Sequence, residues 1–149
     1  MQIATLPFID EHATVVAAGG DAVWSSLLET LDRSSSRRGV AGYARLVRAA
    51  DSTASGPRPI AEGSTFPGFR VVAAIPGREL VLRGRHRFSS YALIFRIEPV
   101  GSDRSQIRAE SRATFPGLAG GLYRRLVIGT GGHAVAMRRL LAGIRSRAE

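Results

Sequence analysis

From residue 69 to residue 115 the chain alternates apolar and polar positions in four runs. They are FRVVAAIP (69–76), ELVLRGRHRF (79–88), YALIFRIEPV (91–100) and RSQIRAESRATF (104–115), separated by Pro-Gly, Ser-Ser and Gly-Ser-Asp. Links this short between runs of strand length predict an antiparallel meander. Side chains of a strand point alternately to its two faces, so the pattern also sorts them. In the second run Leu80, Leu82, Gly84, His86 and Phe88 share one face, while Glu79, Arg83, Arg85 and Arg87 share the other. In the third, Tyr91, Leu93, Phe95 and Ile97 oppose Arg96 and Glu98; in the fourth, Ile107, Ala109, Ser111, Ala113 and Phe115 oppose Arg104, Arg108, Glu110 and Arg112. The predicted sheet has an arginine-rich outer face and an aromatic inner face.

Upstream, HATVVAA (12–18) predicts one more strand, for five in all. Gly19-Gly20 ends it, and Asp21 is placed to cap a helix on which Val23, Trp24, Leu27, Leu28 and Leu31 follow helical spacing. DRSSSRRG (32–39) reads as a polar connection and DSTASGPRP (51–59) as a loop. Between them Val40, Tyr43, Val47 and Ala50 fit one face of a helix, and a strand is also compatible. From Pro116 onwards the pattern becomes helical. Counting at about 100° per residue, Leu118, Leu122, Leu126, Gly129, Thr130, His133, Ala136, Met137, Leu140 and Ile144 lie within about 60° of His133. Three glycines in Gly129-Thr130-Gly131-Gly132 each disfavour helix by roughly 1 kcal/mol relative to alanine, so a kink or short break is expected there. The chain has no internal repeat.

Composition narrows the class. The 149 residues, 44% apolar, suit a single domain over residues 1–149 with one core. No apolar run is long enough to span a bilayer, and MQIATLPFIDEH lacks the basic start and apolar stretch of a signal peptide. The chain has no cysteine, which excludes disulfides, thiolate metal sites and thiol nucleophiles and fits a cytoplasmic location. All 21 basic residues are arginine, which a GC-rich genome would favour, and the net charge is +9. Residues 1–32 hold five acids and no arginine, whereas residues 33–149 hold every arginine against seven acids. Such asymmetry arises from a nucleic-acid patch or from two parts that attract each other.

One strand, one or two helices, a meander and a long C-terminal helix form the order of an α+β helix-grip fold, a curved antiparallel sheet wrapped around that helix. With GRELVLRGRHRFSSYALIFRIEP, and AESRATFPG before the helix that ends LLAGIRSRAE, the chain resembles the START-like superfamily. That superfamily includes SRPBCC proteins, polyketide cyclases and dehydratases, Bet v 1-like proteins and lipid-transfer domains. The resemblance implies a small hydrophobic, aromatic or amphipathic ligand held in a cavity between sheet and helix, with no cofactor. It also implies, as an alternative, an enzyme of the cyclase or dehydratase type. The cavity candidates are His86, Tyr91, Phe95, Phe115, Leu126, Gly129, His133 and Met137.

Two histidines projecting towards one cavity can be hydrogen-bonded core residues, orient a ligand oxygen, or exchange protons near neutral pH. Gly129 lies one turn before His133 on the same face and leaves room beside it for a ligand. A metal site needs a third protein ligand, and the pattern shows no inward carboxylate. Trp24 and Tyr91 offer further polar atoms; Tyr123 lies about 80° from the stripe centre and flanks it. GTGGHA (129–134) matches a dinucleotide fingerprint formally, but only 15 residues follow it, too few for a βαβ unit. Proteins that bind nucleic acid on a sheet put aromatics and basic residues on the same exposed face. Here the faces separate them, and Glu79, Glu98 and Glu110 are interleaved with the arginines as ion pairs would be, which makes nucleic acid the third reading.

Overall fold

The computed structural model describes residues 6–35, 40–51 and 53–149. The first five residues of the N-terminal segment, residues 36–39 of the polar connection and residue 52 of the loop lie outside the described residues. Six strands form one sheet in the order β1-β6-β5-β4-β3-β2, every neighbouring pair antiparallel. They are β1 (Phe8–Val16), β2 (Thr65–Phe66), β3 (Phe69–Ile75), β4 (Glu79–His86), β5 (Ser89–Gly101) and β6 (Arg104–Thr114). The register bears out the sorting of faces: Leu80, Phe95 and Ala109 are neighbours across β4, β5 and β6, and so are Glu79, Arg96 and Arg108. Register shifts in β1, β3 and β5 mark bulges, which bend the strands and curve the sheet.

Two expectations about strands need correction. The sheet has six strands, not five, because β2 is too short to show an alternation. The first strand runs from Phe8, not from residue 12, and ends at Val16. Its length follows its partner β6, and the charged pair Asp10-Glu11 hid its start.

Helix α1 (Gly20–Ser35) buries Val23, Ser26, Leu27, Thr30 and Leu31 against α4 (Gly132–Ala148). Asp21 sits in the first turn and is not the cap, since the Val23 N–H already bonds the Gly19 carbonyl. The carboxylate still favours the positive end of the helix dipole. The helix also continues through residues 32–35, assigned above to a connection, with an ion pair from Arg33 to Glu29 one turn back at 2.8 Å. The ambiguous segment is a helix, α2 (Val40–Leu46).

The C-terminal segment is interrupted where the glycines fall. After α3 (Gly117–Arg124) comes a π-helical turn (Arg125–Gly129), and α4 starts beyond Gly131, whose φ of +78° a residue with a side chain rarely adopts. On α4 Met137 and Ile144 are buried as expected, and Leu141, outside the predicted stripe, is buried with them while Leu140 is only partly so. On α3 the predicted stripe does not face inward. Leu118, Leu122 and Leu126 are 96%, 62% and 62% exposed, and Gly120 faces inward instead. The stripe was extrapolated at α-helical pitch, and the wider π turn together with the break shifts the phase of everything before Gly131.

The sheet grips α4 at one end. There Val16, Leu27, Leu80, Phe95, Ile107 and Ile144 are nearly inaccessible and form one cluster. Each such side chain contributes on the order of 1.5–3 kcal/mol as an upper figure. Buried hydroxyls there are satisfied by backbone: Ser26 donates to the Ile144 carbonyl at 2.5 Å and Ser105 to the Ala18 carbonyl at 2.8 Å.

Candidate functional site

The other end of the sheet does not close on the helix. Where β4 and β6 finish and β5 begins, a cavity of about 860 Å³ lies between the sheet and the helices. Its floor is Leu82, Leu93, Ser111 and Ala113, and one wall is the first half of α4 through His133, Ala136, Met137 and Leu140. The opposite wall comes from Val40, Tyr43 and Ala44 of α2, from Val47 just after it, and from residues 66–69. The end of α1 adds Arg33, Ser34 and Ser35, so an apolar interior carries a polar rim.

An aromatic cluster occupies the end next to α3. Tyr123 is its hub: its ring stacks on Phe88 with centroids 5.1 Å apart and meets His86 edge-on at 4.9 Å. Phe115 lies 6.3 Å from the same ring, and Tyr91 bridges His86 to Phe69. Gly84 is what allows Tyr91 to lie flat across β4. A Cβ on Gly84 would stand 2.1 Å from the Gly68 carbonyl oxygen and 2.3 Å from the Tyr91 ring. In the space left free, the Tyr91 hydroxyl donates to the Gly68 carbonyl at 2.5 Å. The hydroxyls of Tyr43 and Tyr123 bond each other and join α2 to α3 across the cavity mouth. Burial first, then neighbouring hydroxyls and charge, pushes the Tyr91 and Tyr123 phenols upward, so both stay neutral donors and acceptors.

The state of His86 follows from its backbone. The Phe88 N–H donates to Nδ1 of His86 at 3.1 Å, which leaves the ring proton on Nε2. Burial pulls the imidazole below its ordinary value of 6.5. His86 is therefore a neutral ring whose Nε2–H is a donor for a ligand oxygen, and it is poorly arranged as a base.

His133 has different company. Its Nε2 lies 3.0 Å from Ser111 Oγ and 3.4 Å from Asp10 Oδ1. The other carboxylate oxygen of Asp10 is 3.2 Å from Nε2 of His12. Asp10 corrects the expectation that no carboxylate faces inward: the β1 bulge between Phe8 and Asp10 turns it there, opposite Ser111. Asp10 Oδ1 is buried and, among the described residues, has no hydrogen-bond partner. Serine and carboxylate approach the same nitrogen, so this is not a relay in which one ring nitrogen takes a serine proton while the other is held by the acid. Among the described residues no group of three or more His, Asp or Glu side chains is arranged to hold a metal ion.

Five of the eight candidates, His86, Tyr91, Phe115, His133 and Met137, line this one cavity. Three do not. Phe95 is fully buried in the core, Leu126 points to solvent from the π turn, and a Cβ on Gly129 would meet only Arg125 Cβ at 4.0 Å. Trp24, on α1, is partly buried against the core cluster and also lies outside the lining. The sequence reading missed Asp10, Tyr43, Phe69 and Ser111 and reduced Tyr123 to a flank. Only the alternation of β6, which put Ser111 inward, carried a usable signal.

Over β5 and β6 the outer face of the sheet is paired. Arg96 reaches Glu79 and Glu110, Arg108 reaches Glu11 and Glu98, and Arg112 bonds Glu110 at 2.5 Å. Burial disfavours the charge of Glu110, but hydrogen bonds from Arg112 and Arg96 outweigh it and hold the carboxyl below its ordinary value.

No family model matches the chain, and no curated protein does. Solved structures do. An aromatase/cyclase from Streptomyces sp. R1128 superposes with a TM-score of 0.58 at 15% identity, covering 93% of this chain and 92% of that one. A norcoclaurine synthase point mutant from Thalictrum flavum gives 0.56 at 14%, covering 97% of each chain. This is the helix-grip fold. A conserved protein from Geobacillus kaustophilus shares it as well, with a TM-score of 0.54 at 12% identity over 93% of both chains. At these identities the likeness is one of fold, and it bears out the START-like resemblance at that level. No helix among the described residues is long and apolar enough to cross a membrane.

Proposed function

We propose that residues 1–149 form one START-like domain that holds a small hydrophobic or aromatic ligand, with no cofactor, in a cytoplasmic setting. The observation that carries this is the cavity itself: about 860 Å³, of the size that suits drug-sized molecules, with an aromatic cluster at one end. His86 supplies a fixed donor beside that cluster, so an acceptor oxygen on a ring is the group it suits. The aromatase/cyclase neighbour and a norcoclaurine synthase seen with dopamine and hydroxybenzaldehyde are compatible with aromatic ligands in this fold. The test is titration with an anilinonaphthalene sulfonate probe, comparing wild type with Ala136→Trp, which fills the cavity from α4. Affinity is expected to fall roughly tenfold or more as the indole takes the space. Absence of binding by wild type, or equal binding by both, overturns the reading. Native mass spectrometry of protein from its own host would then identify a retained ligand.

Asp10 beside His133 favours a second reading, proton transfer of the cyclase or dehydratase type, because the carboxylate can stabilise an imidazolium formed during turnover. It predicts that His133→Gln abolishes turnover of a polyketone while probe binding persists. Nothing comparable supports the nucleic-acid reading, since Arg96, Arg108 and Arg112 on the outer face are engaged by acids and the aromatic rings lie on the opposite, inner face.

A further inference from the structure

We infer that the end of the molecule around α2 and α3 docks on an anionic lipid surface. Leu118, Leu122 and Leu126 recur every fourth residue along α3 and into the π turn that follows it, and are 96%, 62% and 62% exposed. The Tyr43–Tyr123 contact sets α2 beside α3, and α2 adds Leu46, 73% exposed, and Tyr43, half exposed. Isolated exposed leucines are ordinary, but several on adjoining helices mark a surface that something covers.

Charge identifies what covers it. Arg45 is on α2 and Arg48 just after it, Arg124 ends α3 and Arg125 opens the π turn, and Arg85 and Arg87 lie at and just beyond the end of β4, where their backbone bonds Ala50 and Val47 after α2. All six are exposed, and among the described residues none is in an ion pair, in contrast to Arg96, Arg108 and Arg112 on the sheet. The nearest acid along the chain from α2, Asp51, is engaged by Arg70 at 3.0 Å. Arg87 and Arg124 lie over the Phe88 and Phe115 rings, a contact that leaves their charge unneutralised. Apolar side chains rimmed by such cationic groups suit a bilayer, where leucines enter the acyl boundary and arginines meet phosphate or carboxylate headgroups. A two-fold pairing with a second copy would bring this cationic rim towards itself. A nucleic acid would use the arginines but offers nothing for aliphatic leucines, which do not stack on bases. The surface adjoins the cavity mouth, because Tyr123 faces the cavity while Leu122 beside it faces outward. Docking there would let an apolar ligand pass between bilayer and cavity, but the surface itself does not depend on what the cavity holds.

Vesicle flotation tests this with the whole chain. Wild type is expected to float with phosphatidylcholine vesicles containing phosphatidylglycerol and not with phosphatidylcholine alone. The triple variant Leu118→Ser/Leu122→Ser/Leu126→Ser, folded by circular dichroism because these side chains are exposed, should lose roughly tenfold or more of that binding. Arg124→Gln/Arg125→Gln should weaken it further than Arg78→Gln/Arg104→Gln, which removes the same charge from hairpin turns at the other end of the sheet. Three results would each overturn the proposal: no flotation of wild type with anionic vesicles, equal flotation of the leucine variant, or equal effects of the two arginine pairs. A dimer by light scattering that the leucine variant abolishes would likewise overturn it and assign the face to a second copy.

Discussion

Gly84→Ala is the sharpest test of how the cavity is built. The added Cβ would lie 2.1 Å from the Gly68 carbonyl oxygen and 2.3 and 2.5 Å from two Tyr91 ring carbons, well inside normal contact. The neighbouring backbone and the ring must both yield by the better part of an ångström, and the Tyr91 hydroxyl then loses the Gly68 carbonyl. Overpacking of this kind costs about 1–3 kcal/mol and the lost hydrogen bond about 0.5–1.5 kcal/mol, for a total of about 1.5–4.5 kcal/mol. For a chain of this length that lowers Tm by on the order of 5–15 °C. Urea denaturation gives the free energy directly, and probe titration should show weaker binding because Tyr91 lines the cavity. In a Tyr91→Ala background the ring contribution disappears and the Gly68 contribution stays, so the cost of Gly84→Ala should shrink without vanishing. A loss below about 0.5 kcal/mol in the wild-type background would refute the close approach of Gly84, Gly68 and Tyr91.

Gly129→Ala should do the opposite, raising stability by up to about 1 kcal/mol through helix propensity and leaving probe affinity unchanged, since its Cβ meets open space; weaker probe binding would return Gly129 to the cavity wall. Glu110 contributes stability in full above its unfolded value near 4.5, and that contribution is lost as pH falls through its lowered folded value. Glu110→Gln should therefore cost roughly 1.5–3 kcal/mol at pH 7 and flatten the acid limb of a stability-against-pH curve, and an unchanged acid limb would refute the pairing. For His86, nitrogen-15 NMR of the ring should show the Nε2–H form at pH 7 and a midpoint below 6.5. Its stabilising effect is complete above 6.5 and lost as pH falls through the lowered value; an Nδ1–H form would remove the donor assigned to it.

The alternation over residues 69–115 determined by itself which face of the sheet is apolar, because strand period is local and each inward residue was named by parity alone. It therefore placed His86, Tyr91, Ser111 and Phe115 on the correct side, and it foresaw the ion pairs of Arg96 and Arg108. The glycine cluster likewise located the break before α4, since helix propensity is a property of neighbouring residues. What escaped depends on partners distant in the chain. Strand β1 begins at Phe8 because β6 is there to bond it, and the bulge that turns Asp10 towards His133 exists only in that pairing. The outward turn of Leu126 and the inward turn of Tyr123 follow from a π turn whose phase error accumulates over several residues, which no fixed helical period can express. The cavity, finally, is a gap between elements. Residues 40–49 and 66–69 contribute its second wall, and only tertiary structure decided what α2 and the segment before β3 would face.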